Sequence, residues 1–144
     1  MDNQLTYTIR DGFDLMDFDR INEMLALSHW VPGIKKEETL QGARNSALLV
    51  GAFTPDNTQI AFSRVISDKT RFAYILDVYV DKNYRKHGIG QAMIRHILTH
   101  PELKDVYQWL LLTKDAHGVY RKLGFNAISR PNDWMEIISP RPQR

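Results

Sequence analysis

The chain contains no cysteine. A disulfide framework, thiolate metal sites and a cysteine nucleophile are therefore excluded together, and a reducing, cytoplasmic setting is the expectation. Long apolar runs are also missing, so nothing reaches bilayer-spanning length. The opening Met1-Asp2-Asn3-Gln4 is polar and lacks the basic-then-apolar order of a secretion signal. Charge of one sign is scarce: 19 Lys and Arg face 17 Asp and Glu, a net +2 with no basic stripe. Neither a nucleic-acid partner nor a membrane is expected from that balance. Repeats, linkers and low-complexity stretches are absent too. The 144 residues therefore read as one domain, 1–144, with a Pro-rich tail over 140–144 expected to fray.

With 43% hydrophobic and 25% charged residues, the chain can bury a core. Leu5 to Arg10 alternates like a short strand, which Gly12 breaks. Helical spacing of Leu15, Phe18, Ile21 and Met24 or Leu25 predicts a helix over 14–27, capped by Asp14. Turn-formers and one large aromatic follow in Ser28-His29-Trp30-Val31-Pro32-Gly33. A more polar helix then spans 35–44. Runs 47–53 and 60–67 form a hairpin across Thr54-Pro55-Asp56-Asn57-Thr58. A third long strand covers 72–80. From there helix and strand alternate: helix from Ile89, strand 108–112, helix 116–123, and strands at Phe125 and 134–138. This order predicts an α+β fold, a mixed, mostly antiparallel central sheet flanked by helices.

The chemistry concentrates after the third strand, in Tyr84-Arg85-Lys86-His87-Gly88-Ile89-Gly90-Gln91-Ala92. Two glycines two residues apart let the backbone turn tightly and come close to a ligand, and the following helix adds unpaired amides and its positive dipole end. An anion is the natural guest. A Rossmann fingerprint would need glycine at Met93, and the Gly-Lys-Ser/Thr of a Walker loop is absent.

What remains, Arg-x-x-Gly-x-Gly at Arg85, Gly88 and Gly90, resembles the acetyl-CoA pyrophosphate loop of the GNAT superfamily of acetyltransferases. Downstream, Ala116, Val119, Tyr120, Gly124 and Phe125 are similar to that superfamily's Ala-x-x-aliphatic-Tyr-x-x-x-Gly-Phe segment. The resemblance covers 72–125 by motif. It implies a sheet whose central strands splay apart where acetyl-CoA enters, and an acetyl group moved by direct attack of a primary amine.

Under that resemblance, the cofactor site comprises Val78, Tyr79 and Val80 on the strand, Arg85, Lys86, His87, Gly88, Ile89, Gly90 and Gln91 in the loop, and Thr113 and Ala116 beyond. Thr113 stands where many members carry asparagine. Tyr120 matches the family's general acid, with a core tyrosine as the plainer alternative. Asp77, expected on one face with Ala73, Ile75 and Tyr79, is either a base for the amine or the buried ion-pair partner of Arg64. His29 and Trp30 are candidates on the acceptor side, Trp30 with the alternative of a loop anchor. His96 and His100 have metal-ligand spacing, yet no third ligand is evident, so no metal is expected. The expected partner is a small-molecule amine, and the protein a monomer or homodimer. Rival readings are a non-catalytic acyl-CoA-sensing module, a peptide or protein N-acetyltransferase, and a nucleotide-binding domain.

Overall fold

The structure is a computed structural model that describes residues 4–144. Five strands, β1 (Thr8–Asp11), β2 (Leu48–Phe53), β3 (Gln59–Ser67), β4 (Phe72–Val80) and β5 (Gln108–Leu111), form one sheet in chain order. The first four pair antiparallel, whereas β5 lies parallel to β4 because helix α3 (Ile89–Leu98) carries the chain across between them. No helix among the described residues is long and apolar enough to cross a membrane.

Alternation along the strands feeds two cores. Val50, Ala52, Val65, Ala73 and Ile75 bury against Met93, Ile94 and Ile97 of α3. Leu49, Phe53, Phe62 and Tyr79, pointing the other way, meet Ile21, Met24 and Leu25 of α1 (Phe18–Ala26) and Ala43 of α2 (Lys36–Arg44). Each Val, Leu, Ile, Phe or Met side chain so buried contributes about 1.5–3 kcal/mol. The hairpin turn lies where Thr54 to Thr58 predicts it, closed by the Thr54 hydroxyl, which donates to the Asp56 carboxylate.

Several sequence expectations are corrected. The first helix starts at Phe18: Asp17, not Asp14, accepts from the Arg20 amide as its cap, and Leu15 lies exposed in a 3-10 turn, Phe13–Leu15. The expected strands at Phe125 and 134–138 do not form. Beyond α4 (His117–Arg121) the chain holds only a 3-10 turn, Pro131–Asp133, and Met135 and Ile137 remain exposed. β-propensity is realised only where a neighbouring strand pairs, and the outer edge of β5 is left unpaired. In the tail, Arg141 Nη1 donates to the Trp30 carbonyl at 3.1 Å, and the Arg144 guanidinium pairs with Glu38.

The β3/β4 ladder slips once. Between the pairs Phe62/Tyr79 and Arg64/Leu76, the single residue Ser63 faces both Asp77 and Val78. Asp77 takes the left-handed region at φ 56°, a conformation Asp tolerates better than most residues. This bulge shifts the alternation by one. Asp77 therefore shares the α1/α2 face with Tyr79, while Ala73 and Ile75 face α3, against the single face the period predicts.

Candidate active site

Pairing between β4 and β5 stops at Ile75 and Leu111, though β4 runs on to Val80. Beyond that rung the two strands part. A cleft of about 1060 Å³ opens there, lined on one side by Trp30, Asp77 and Val78 and on the other by Thr113, Ala116 and Tyr120. The splay that the family resemblance implied is thus present, at the end of a five-stranded sheet.

Tyr120 reaches this cleft from α4. The turn before that helix is held by the Thr113 hydroxyl, which accepts from the Ala116 amide at 3.0 Å. Phe125 supports the Tyr120 ring edge-on, with centroids 5.9 Å apart, after Gly124 reverses the chain at φ 100°. Burial pushes the Tyr120 phenol above its ordinary pKa, so it stays protonated at neutral pH. Its hydroxyl has no hydrogen-bond partner among the described residues. Tyr120 also packs against the α3-side core, so the catalytic and core readings describe one half-buried side chain that both packs on the core and lines the cleft.

Asp77 is in the ion pair. Its Oδ2 accepts from Arg64 Nε at 2.7 Å and its Oδ1 from Trp30 Nε1 at 2.9 Å. The carboxylate is only 9% exposed, the guanidinium 18%. Arg64 Nη1 also donates to the Gly42 carbonyl and the Ser46 hydroxyl, both at 3.3 Å. The guanidinium lies so close to α2 that a Cβ at Gly42 would sit 3.3 Å from its Cζ. Both oxygens of Asp77 are thus engaged, and Trp30 is held through one of them while also lining the cleft. His29 lies exposed beside Trp30, ring centroids 5.0 Å apart and nearly perpendicular.

The glycine loop lies outside the cleft lining, at the far end of β4. Asp81 starts the turn, accepting from the Asn83 amide at 2.8 Å and pairing with Arg20 of α1. Burial alone would raise the Asp81 pKa, but the Asn83 amide and the Arg20 charge outweigh it and hold the carboxyl below its usual value. Arg85 Nε donates to the Val80 carbonyl at 2.9 Å, and its guanidinium lies 5.4 Å from the Tyr79 ring centre. Gly88 caps α3 in the left-handed region at φ 75°. The first intrahelical bond runs from the Ala92 amide to the Gly88 carbonyl, so the amides of Ile89, Gly90 and Gln91 have no acceptor in the helix.

Gly90 offers a test of fit for a diphosphate. Its φ is not left-handed, and an added Cβ would meet only Val80 Cγ2 at 3.9 Å. Nothing in the chain requires glycine there, whereas close approach of an anion to the amides would. Arg85, Lys86 and His87 are exposed around this point. By contrast, the side chains of Ile89 and Tyr79 are buried, so these two can serve a ligand only through the backbone, whereas the partly buried Val78 also lines the cleft.

Sequence reasoning missed Arg141 and Arg144, which also line the cleft. Their approach depends on the tail folding back over a hundred residues, and no local signal records it. It also missed the third partner of the two histidines. Asp11, at the end of β1, meets His96 Nε2 at 2.6 Å and His100 Nε2 at 3.4 Å.

Comparison with known proteins agrees with this geometry. The family model of the acetyltransferase (GNAT) domain matches residues 45–127. A crystal structure from Xanthomonas campestris pv. campestris, ascribed to a GNAT-family acetyltransferase, superposes with a TM-score of 0.87; it is 31% identical and 94% of each chain is covered. GCN5-related N-acetyltransferase 1, chloroplastic, of Arabidopsis thaliana is 26% identical over 141 residues, 96% of this chain and 70% of that protein. A Clostridium acetobutylicum acetyltransferase solved with acetyl-CoA shares the fold at a TM-score of 0.70, with 18% identity over 92% of this chain and 96% of that one.

Proposed function

The chain belongs to the GNAT acetyltransferase family, and from that premise we propose that it transfers an acetyl group from acetyl-CoA to the primary amine of a small or amino-acid-like molecule. The observation that carries this reading is the parting of β4 and β5 beyond Ile75 and Leu111, with the Tyr120 phenol on one wall and the anion-receptive loop at the end of the other strand. The amides of Ile89, Gly90 and Gln91, with Arg85 and Lys86 beside them, hold the diphosphate. Backbone along Val78 to Val80, next to the bulge, offers amide donors to an oxyanion. Thr113 holds the turn that aims Tyr120 and keeps its own hydroxyl hydrogen free to donate.

Bound acetyl-CoA supplies the electrophilic thioester carbonyl. Tyr120 keeps its proton through the attack and passes it to the sulfur as the carbon–sulfur bond breaks. Reference pKa values of about 10 for a phenol and about 8.5 for a thiol are close enough for such a transfer. The apolar surroundings that raise the phenol also raise the sulfur's proton affinity. Asp77 is a positioning residue here, fixing Trp30 and the acceptor end of the cleft, and His29 is the exposed group free to relay the amine's proton.

Thiol release from acetyl-CoA across a panel of small amines and short peptides tests the proposal. Turnover with an amine that Tyr120→Phe largely loses supports it. Saturable acetyl-CoA binding with no turnover on any acceptor leaves the sensing module instead, and turnover on peptide N-termini alone leaves the peptide acetyltransferase.

A further inference from the structure

We propose that Asp11, His96 and His100 form a binding site for one divalent transition-metal cation of the Zn²⁺ type, apart from the acyl-transfer cleft. The three residues come from two separate parts of the chain: Asp11 closes β1, His96 lies on the last turns of α3, and His100 follows that helix. Their ligand atoms all lie within 4.8 Å of one another. Two imidazole nitrogens and one carboxylate oxygen are the donor set that borderline cations such as Zn²⁺ favour.

The distances suit an ion more than a simple hydrogen-bond clasp at one of the two contacts. Ligand atoms on one tetrahedral Zn²⁺ stand about 3.4 Å apart, given bonds of about 2.0–2.2 Å. His100 Nε2 to Asp11 Oδ2 is already 3.4 Å, long for a hydrogen bond and right for shared coordination. His96 Nε2 to the same oxygen is 2.6 Å, so that pair opens by about 0.8 Å on loading. The side chains are 33%, 32% and 15% exposed for Asp11, His96 and His100, enough for an ion to enter without unfolding. Asp11 and His100 border a surface hollow of about 560 Å³ that also exposes Glu102 and Arg44. Water from this hollow completes the shell.

Besides that opening, loading requires an exchange of hydrogen-bond partners at His100. The Glu102 amide donates to His100 Nδ1 at 3.2 Å, which puts the ring hydrogen on Nε2. Coordination through Nε2 moves that hydrogen to Nδ1, with no net change in protons, and the Glu102 amide exchanges its acceptor for water. The contact given up is long. This exchange also gives the site a readout, because loading at His100 Nε2 takes the Nδ1 acceptor away from the Glu102 amide.

The test uses the full-length protein freed of metal by chelation. Calorimetric titration with Zn²⁺ should give one saturable equivalent per chain and raise the melting temperature, and Co²⁺ should develop visible absorption of low-symmetry coordination. His96→Ala and Asp11→Asn should each weaken Zn²⁺ binding more than tenfold, at least the loss that outer-sphere partners alone produce. The Glu102 amide resonance should shift on Zn²⁺ addition to the unaltered protein, a readout that needs no variant to fold. An unmoved Glu102 amide, no saturable uptake, or equal uptake by the His96 and Asp11 variants would overturn the site. Acetyl transfer is not read in any arm, so the outcome is independent of the cleft assignment.

Discussion

Replacing Gly90 by alanine separates stability from ligand binding and moves them in opposite directions. The new Cβ meets nothing closer than Val80 Cγ2 at 3.9 Å, ordinary van der Waals contact, and Gly90 does not occupy a left-handed conformation. Alanine in a helix is favoured over glycine by about 0.5–1 kcal/mol, and the lower figure suits the first turn. An unfolding entropy of about 2.1 cal/mol/K per residue gives about 0.3 kcal/mol/K over the chain, so Gly90→Ala melts about 2 °C higher. Binding goes the other way. Anion oxygens accept from these amides at about 2.9 Å, and a methyl group in that space costs at least one charge-assisted hydrogen bond, about 1.5–3 kcal/mol or roughly 10–150-fold in acetyl-CoA affinity. Differential scanning calorimetry and equilibrium dialysis with acetyl-CoA read the two effects. Gly88→Ala is the contrasting control: at φ 75° its left-handed conformation costs a side chain about 1–2 kcal/mol, so it melts about 3–7 °C lower. Unchanged acetyl-CoA affinity in Gly90→Ala would refute the cradle, and a lowered melting temperature would refute the packing account.

Tyr120→Phe keeps the ring and should lower kcat by about 100-fold with little change in acetyl-CoA affinity, measured by thiol release and dialysis. Because burial raises the Tyr120 pKa, the folded state keeps its proton where the unfolded chain has lost it. Stability from this group is whole below the unfolded value near 10 and declines as pH rises from there through the folded value; Tyr120→Phe removes that decline in urea titrations across the alkaline range. Arg64→Met leaves the Asp77 carboxylate buried and half-paired, at a cost of about 3 kcal/mol in urea unfolding, whereas Arg64→Met with Asp77→Asn, which removes the charge but keeps an acceptor for Trp30 Nε1 and a residue that tolerates the left-handed backbone, recovers most of it. Equal losses in the single and double variants would contradict the ion-pair account. Asp68 holds the β3/β4 turn through the Arg71, Thr70 and Phe72 amides, which keep its pKa well below the carboxylate range. Its contribution is present above an unfolded value of about 3.9 and is lost as pH falls below that, so Asp68→Asn should flatten the acid limb of stability, followed by chemical denaturation.

What could be read in advance was local. The spacing of Ile89, Met93, Ile94 and Ile97 fixes α3 and its buried face, Thr54 to Thr58 closes the hairpin, and Gly88 marks the left-handed turn that starts α3. What could not be read was produced by partners distant in sequence. The bulge at Asp77 depends on how Ser63 is faced across the sheet, and it moves Asp77 from the face its period predicts to the face holding Arg64 and Trp30. A strand-like composition at 134–138 finds no neighbour to pair with. The contacts of Arg141 with Trp30 and of Asp11 with His96 span 111 and 85 residues, beyond any window of periodicity.

The fit of Arg64 against α2 couples the residues of this wall of the cleft. A Cβ at position 42 would stand 3.3 Å from Arg64 Cζ and oblige the guanidinium to shift by a few tenths of an ångström, and the same guanidinium pairs the carboxylate at 77. A change at one of the three positions therefore alters the cost of a change at the others. Libraries that reshape this wall should randomise 42, 64 and 77 jointly, so that compensating combinations are sampled.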